Sequence, residues 1–260
     1  MTTALITGAS SGIGTVFAER LAHRSHDLVL VARSHDKLQT LASRLSQQCG
    51  IQTTVISQDL TAPGAIQTIF TQLEKQSIEI DLLVNNAGFG VYGEFAEGQL
   101  ETYLNMIQLN VVALVELTHR CLQGMRSRRS GSILNIGSTA SFQPIPNFGV
   151  YAATKAFVLS FSEALWCECK PYGINVIAVC PGPTSTEFFK VAAFPNSMGE
   201  KVGNNLTSPE TVVQEALMAL EQRHSNVVTG GFTNQVIVNA TRFLPREAIL
   251  KAVSRIFMDQ

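Results

Sequence analysis

The chain has 260 residues, 45% hydrophobic and 15% charged, and its 19 basic and 20 acidic side chains leave a net charge of -1. A chain this apolar is not intrinsically disordered, and a balance this neutral gives no electrostatic footprint for nucleic acid. With 19 glycines and 9 prolines it is neither collagen-like nor of low complexity, and at this length roughly 75% of the unfolded surface can be buried without disulfide staples.

Apolar runs of strand length alternate with helical periodicity along the chain. Thr3 to Thr7 reads as a strand and Gly12 to Arg24 as a helix, with Ile13, Val16, Phe17 and Leu21 at helical spacing. Asp27 to Ala32 is a second strand, Asp36 to Cys49 an amphipathic helix and Gln52 to Ile56 a third strand. Pro63 to Lys75 reads as a helix with its proline in the first turn, where the missing N–H costs nothing. Asp81 to Asn85 is a fourth strand, followed by one long helical pattern from Gln99 to Arg126. Gly131 to Ile136 and Ile174 to Val179 are strands around a helix from Tyr151 to Glu168, and Pro209 to Gln222 is a helix before a short strand, Asn226 to Thr229. Continuous apolar strands alternating with helices predict an α/β fold whose parallel sheet is covered on both faces. No linker or repeat divides residues 1–260, so a single domain is expected.

Two stretches break the alternation. Residues 183–205 form a long loop rich in Gly, Pro, Asn and Ser, of a length that usually serves function. In the tail, 232–260, Gln235 to Phe243 and Arg246 to Phe257 read as two amphipathic helices split by Pro245. Packing over a cleft or a second subunit is expected of them, with a reversible membrane-surface contact as the alternative.

The five cysteines show no CxxC and no metal-ligand spacing, so buried free thiols are expected and no metal. The N-terminus carries no secretory pattern and no run reaches the ~20 apolar residues of a membrane span, so a cytoplasmic protein is expected. The triplets at Asn205 and Asn239 then read as chance rather than glycan acceptors.

The first strand runs into Thr7-Gly8-Ala9-Ser10-Ser11-Gly12-Ile13-Gly14 and opens a helix. Glycines there let the backbone approach a pyrophosphate, and the helix N-terminus offers free N–H groups and a positive dipole end. The G-xxx-G-x-G spacing differs from the commoner G-x-G-x-x-G. With it stand Asn85-Asn86-Ala87-Gly88 after the fourth strand, Asn110 in the long helix, Ser138 after the fifth strand, Tyr151-x-x-x-Lys155, and Pro181-Gly182 after the sixth. In this order the motifs resemble the short-chain dehydrogenase/reductase family, over nearly the whole chain to about residue 230.

That resemblance implies a Rossmann-type doubly wound parallel sheet of about seven strands and a nicotinamide cofactor. An acidic residue at the end of the second strand would bond the ribose 2′-OH of NAD. Here Ala32 fills that place and Arg33 follows, whose fork can pair with a 2′-phosphate, with Ser34 adding a hydrogen bond. NADP is therefore expected over NAD. The resemblance further implies that Asp59 and Leu60 meet the adenine, that Asn86, Ala87 and Gly88 line the adenosine ribose, and that Pro181, Gly182 and Thr184 flank the nicotinamide.

Tyr151 and Lys155, four apart in a helix, share a face about 6 Å apart along the axis. A free phenol has a pKa near ~10, and a nearby ammonium lowers it. The resemblance implies Tyr151 as acid/base, Ser138 polarising the substrate oxygen, Lys155 also holding the nicotinamide ribose, and Asn110 holding a water that links Lys155 to solvent. In the reductive direction the product is an alcohol. Isomerase or dehydratase chemistry on the same scaffold, or an NADP(H)-sensing module, are the alternatives.

The long loop carries Phe188, Phe189, Val191, Phe194 and Met198 with few charges, and Phe142, Ile145 and Phe148 follow Ser138. These favour an apolar carbonyl or alcohol substrate over a sugar or an acyl-carrier thioester. The pattern looks most like a branch that includes fatty-acyl and steroid ketone reductases. The resemblance also implies a homodimer or homotetramer built on the two long helices.

Overall fold

The computed structural model describes residues 2–195 and 206–258. Its strands are β1 (Thr3–Thr7), β2 (Asp27–Ala32), β3 (Thr53–Ser57), β4 (Leu82–Asn85), β5 (Gly131–Ile136), β6 (Ile174–Pro181) and β7 (Asn226–Thr229). The helices between them are α1 (Gly12–Ala22), α2 (His35–Cys49), α3 (Ala65–Lys75), α4 (Leu100–Ile107), α5 (Leu114–Arg128), α6 (Gly149–Cys169), α7 (Phe188–Val191) and α8 (Pro209–Glu221). After β7 come α9 (Phe232–Ala240) and α10 (Arg246–Phe257).

All seven strands form one parallel sheet in the order β3-β2-β1-β4-β5-β6-β7. The order reverses between β1 and β4, and at such a switch point ligands bind beyond the strands' carboxyl ends. Alternate strand residues serve opposite faces. Ala4, Ile6, Leu28 and Leu30 join one core with Phe17 and Leu21 of α1, Leu38 and Leu45 of α2, and Val213 and Leu217 of α8. Leu5, Val29 and Val31 join the other, with Ile69 of α3, Leu117 and Met125 of α5, and Leu165 of α6. This two-sided cover is why the strands read as unbroken apolar runs.

The predicted elements differ from the structure in a few places. Pro63 stands outside α3, because Gly64 takes a left-handed φ of 73° and the helix begins at Ala65. The long helix divides at a π-helical segment, Gln108–Ala113, between α4 and α5. The loop after β6 carries the short α7, and the first tail helix runs Phe232–Ala240 rather than from Gln235. Met198, like residues 196–205 generally, lies outside the described residues. Cys121, Cys169 and Cys180 are buried, but Cys167 is exposed and Cys49 half-buried. Among the described residues no helix is long and apolar enough to cross a membrane, and no cluster of His, Cys, Asp or Glu could hold a metal.

A buried polar chain ties β4, β5 and α6 together beneath the site. Asn85 Nδ2 donates to Thr118 Oγ1 at 3.0 Å and to Asn135 Oδ1 at 2.9 Å. Asn135 Nδ2 donates to Ser162 Oγ at 2.9 Å, and Ser162 donates to the Val158 carbonyl at 2.6 Å. Removing one member leaves its buried partners unsatisfied, at roughly 1–3 kcal/mol for each such group. Asn135→Ala is therefore expected to lower unfolding free energy by roughly 2–4 kcal/mol, read by urea denaturation, where a change below ~0.5 kcal/mol would contradict the network's role.

Candidate active site

The turn after β1 is built on close backbone contact. Gly8 and Gly12 take φ of 64° and 54°, and a Cβ on Gly14 would lie 2.2 Å from the Gly8 carbonyl oxygen. Only hydrogen fits at position 14, so α1 starts directly on the loop. Ser11, the residue before α1, makes no side-chain cap, and the first turn holds no acid. The N–H groups of Gly12, Ile13 and Gly14 meet no acceptor among the described residues. A bare helix N-terminus facing a glycine loop at a switch point suits a pyrophosphate, so the residues present fit the predicted dinucleotide.

The loop after β4 braces this cradle. Thr7 Oγ1 accepts from the N–H groups of Asn86 and Ala87, each at 3.0 Å. Asn86 Nδ2 donates to the carbonyls of Thr7 at 2.9 Å and Gly8 at 3.2 Å. The Asn86 side chain, expected along the ribose, is thus committed to the cradle itself.

Around the adenosine end, Arg33 and Ser34 are exposed at the end of β2 and the start of α2. Asp59 Oδ1 accepts from Thr61 N at 2.9 Å and Thr61 Oγ1 at 2.7 Å. These bonds, with Arg33 as a lesser contributor, hold its carboxyl below the usual range. Leu60 is buried beside it. An open cavity of about 360 Å³ lies between α1 and α2, lined by Ser10, Thr15, Asp36, Lys37, Thr40, Leu41 and Arg44. Of these, sequence reasoning singled out Ser10 alone, because Lys37 sits in an ordinary amphipathic helix pattern. Across the sheet, Pro181 ends β6, and Thr184 Oγ1 donates to the Gly182 carbonyl at 2.9 Å.

Ser138 follows β5 and caps a short 3₁₀ turn, Thr139–Phe142, its Oγ accepting from Ala140 N at 3.1 Å. Tyr151 and Lys155 lie on α6 and are both buried. Lys155 Nζ sits 5.7 Å from the Tyr151 ring centroid and donates to the Ile136 carbonyl at 2.7 Å. Burial pushes the ammonium down to about 8. Burial also raises the Tyr151 phenol well above its ordinary range, against a smaller pull from its hydrogen bond with Ser138. The expected lowering of the Tyr151 pKa by Lys155 is therefore absent in this state. The ammonium is aimed at a backbone carbonyl, and desolvation outweighs what charge remains.

Asn110 lies in the π-helical segment, where the wider turn carries it inward. Its Nδ2 donates to Phe89 O at 2.9 Å and Thr154 Oγ1 at 3.1 Å, and its Oδ1 accepts from Phe89 N at 3.1 Å. Both amide hydrogens are spent, so a water here would meet the remaining lone pair of Oδ1 or the backbone. A Cβ on Gly88 would lie 2.9 Å from Asn110 Oδ1 and 3.5 Å from Lys155 Nζ, so these three residues close one corner. Cys180 packs behind Ser138 as a neutral thiol, pushed up to about 12 by burial. Neither Cys180 nor Thr154 carried a signal beyond core composition.

A parallel sheet with a bare dinucleotide cradle and a Ser, Tyr and Lys gathered at one edge defines an NAD(P)-dependent oxidoreductase. Residues 2–194 match the family model for short chain dehydrogenase, and the chain belongs to that family. It is 33% identical over 258 residues to a very-long-chain 3-oxoacyl-CoA reductase from Rattus norvegicus, covering 96% of this chain and 78% of the relative. Among solved structures, a short-chain dehydrogenase from Sphingobium yanoikuyae in complex with NADPH is similar at TM-score 0.81 and 37% identity, covering 88% of this chain and 87% of that one. A bulky-bulky ketone specific alcohol dehydrogenase from Comamonas testosteroni is similar at TM-score 0.78 and 33% identity, covering 94% and 92%.

Gly14→Ala forces α1 off the loop by the 2.2 Å clash. Dinucleotide affinity is expected to fall at least roughly tenfold by calorimetry, since the aligned N–H groups move with the helix. Unchanged affinity would contradict the cradle.

Proposed function

We propose that the protein reduces apolar ketones or aldehydes to alcohols, with NADPH as hydride donor and Tyr151 as proton donor. The observation that carries this is the surroundings of Tyr151. Its ring stacks on Phe148 at 4.3 Å and meets Phe188 at 5.3 Å, inside a cluster with Ile145, Met106, Phe194, Ile249 and Val253. A charged or sugar-like substrate would find few partners there, whereas an apolar carbonyl finds Ser138 and Tyr151 as its polar contacts.

When bound, the reduced dinucleotide supplies a hydride to the carbonyl carbon. Ser138 donates to the carbonyl oxygen and stabilises the negative charge that develops there. Tyr151 then gives its proton to that oxygen, within reach of Ser138 and beside Lys155. Lys155 would hold the ribose hydroxyls with the hydrogens it does not give to Ile136. Asn110 anchors the Phe89 backbone next to Gly88 and fixes the wall behind Lys155.

NADP is preferred to NAD in this reading. Support comes from Ala32 in the acidic position, exposed Arg33 and Ser34, and the cavity beside Ser10 with Lys37 on its wall. The exposed apolar side chains Leu100, Leu104, Val112 and Phe157 on α4 to α6 support a second copy packing on the two long helices.

Two substitutions test the reading together. Tyr151→Phe is expected to cut NADPH-driven reduction of apolar ketones by roughly 10²–10⁴-fold while NADPH affinity stays within about twofold. Arg33→Ala is expected to weaken NADPH and leave NADH unchanged. Retained turnover in the first, or equal loss for both cofactors in the second, would contradict the proposal.

A further inference from the structure

We propose that Tyr92 and Asn147 form a latch that fixes α10 as the far wall of the substrate cleft, and that this latch sets the size of ketone accepted. The proposal rests on the reductase reading above.

The last carbonyls of any helix lack intrahelical partners. At the end of α10 the Phe257 carbonyl accepts from the Tyr92 hydroxyl and from Asn147 Nδ2, the latter at 3.3 Å. Asn147 Nδ2 also donates to the Tyr92 hydroxyl oxygen at 3.3 Å, so the three groups close a ring. They come from the loop after β4, the loop before α6 and the chain's last helix. Asn147 takes a φ of 59°, a conformation asparagine tolerates better than most residues. Its carbonyl accepts from Gly93 N at 2.8 Å, which joins the two loops a second time.

The helix held this way has little else to hold it. Within α10 only Ile249 and Val253 are buried. With Phe257 they fall at i, i+4 and i+8, one stripe, and they meet the cluster that contains Phe148 and Tyr151. The pair packs in the same apolar cluster as Tyr151, so the room left beside Tyr151 depends on where α10 is pinned. Tyr92 also grips the loop after β6. Its N–H donates to Ala192 O at 2.9 Å, and its ring lies 4.8 Å from that of Phe194. One tyrosine therefore ties α10 and the loop after β6 to each other. Releasing the Phe257 carbonyl lets Ile249 and Val253 withdraw and widens the cleft without touching Ser138, Tyr151 or Lys155.

The test is the Tyr92→Phe/Asn147→Gly double variant. It removes both donors, keeps the aromatic ring and keeps a residue suited to positive φ. Reduction of cyclohexanone and of benzophenone is compared with wild type, alongside NADPH affinity. The ratio of kcat/KM for benzophenone over cyclohexanone is expected to rise roughly tenfold, within the range that pocket walls confer, with NADPH affinity within twofold. Each single variant is expected to give less, because both donors share one acceptor. Equal changes for both ketones, or none, overturn the latch and leave the reductase reading standing. A wild type that reduces neither these nor any other apolar ketone overturns that reading and the size claim with it. Hydrogen exchange supplies a readout without substrate. Amides of α10 and of residues 188–194 should both exchange faster in the double variant, and unchanged exchange overturns the latch whatever the activity.

Discussion

The structure turns on a buried ammonium group. Lys155 is 6% exposed, and its Nζ makes one hydrogen bond, to the Ile136 carbonyl. Burying a cation with one neutral acceptor is costly, and the cost shows as a pKa pushed down to about 8. Its neighbours hold it there. Asn110 and Gly88 close one side, Tyr151 another, and the carbonyl end of β5 the third. Such a group gains from a ligand that brings hydroxyls to its free hydrogens, so the site favours binding before chemistry.

The sheet supplies the frame for that placement. Each strand of the central four delivers one part at its carboxyl end: the cradle after β1, Arg33 after β2, Asn86 to Gly88 after β4, and Ser138 after β5. The polar chain from Asn85 through Asn135 to Ser162 locks β4 and β5 onto α6, the helix that carries Tyr151 and Lys155. Contact between Gly14 and Gly8 fixes α1 with equal severity. The glycine cradle and α6 are thus joined through backbone and buried polar contacts rather than through surface ion pairs, which are worth little.

Much of this was legible in the sequence, for a physical reason. A two-sided parallel sheet writes itself as apolar runs, and the glycine turn admits few alternatives, so strands and cradle could be read directly. Ser138, Tyr151 and Lys155 lie near one another because helix spacing and strand ends place them. Other features depend on partners far away in the chain. The π-helical turn at Asn110 and the Asn86 amide buttoned to Thr7 and Gly8 leave no local periodicity. Spacing reports that Lys155 is near Tyr151, and not that burial raises the phenol in the ligand-free site. Tyr92 and Asn147 carry no local signal, since their partner lies 165 and 110 positions away.

Titration of the Lys155 side-chain nitrogen by isotope-resolved NMR, in ligand-free protein and with NADPH, tests the central claim most directly. The account predicts a free value of about 8 that rises when NADPH hydroxyls reach the ammonium. A value near the ordinary ~10.4 that NADPH does not move would mean that Lys155 is solvated and that the cofactor does not complete its site.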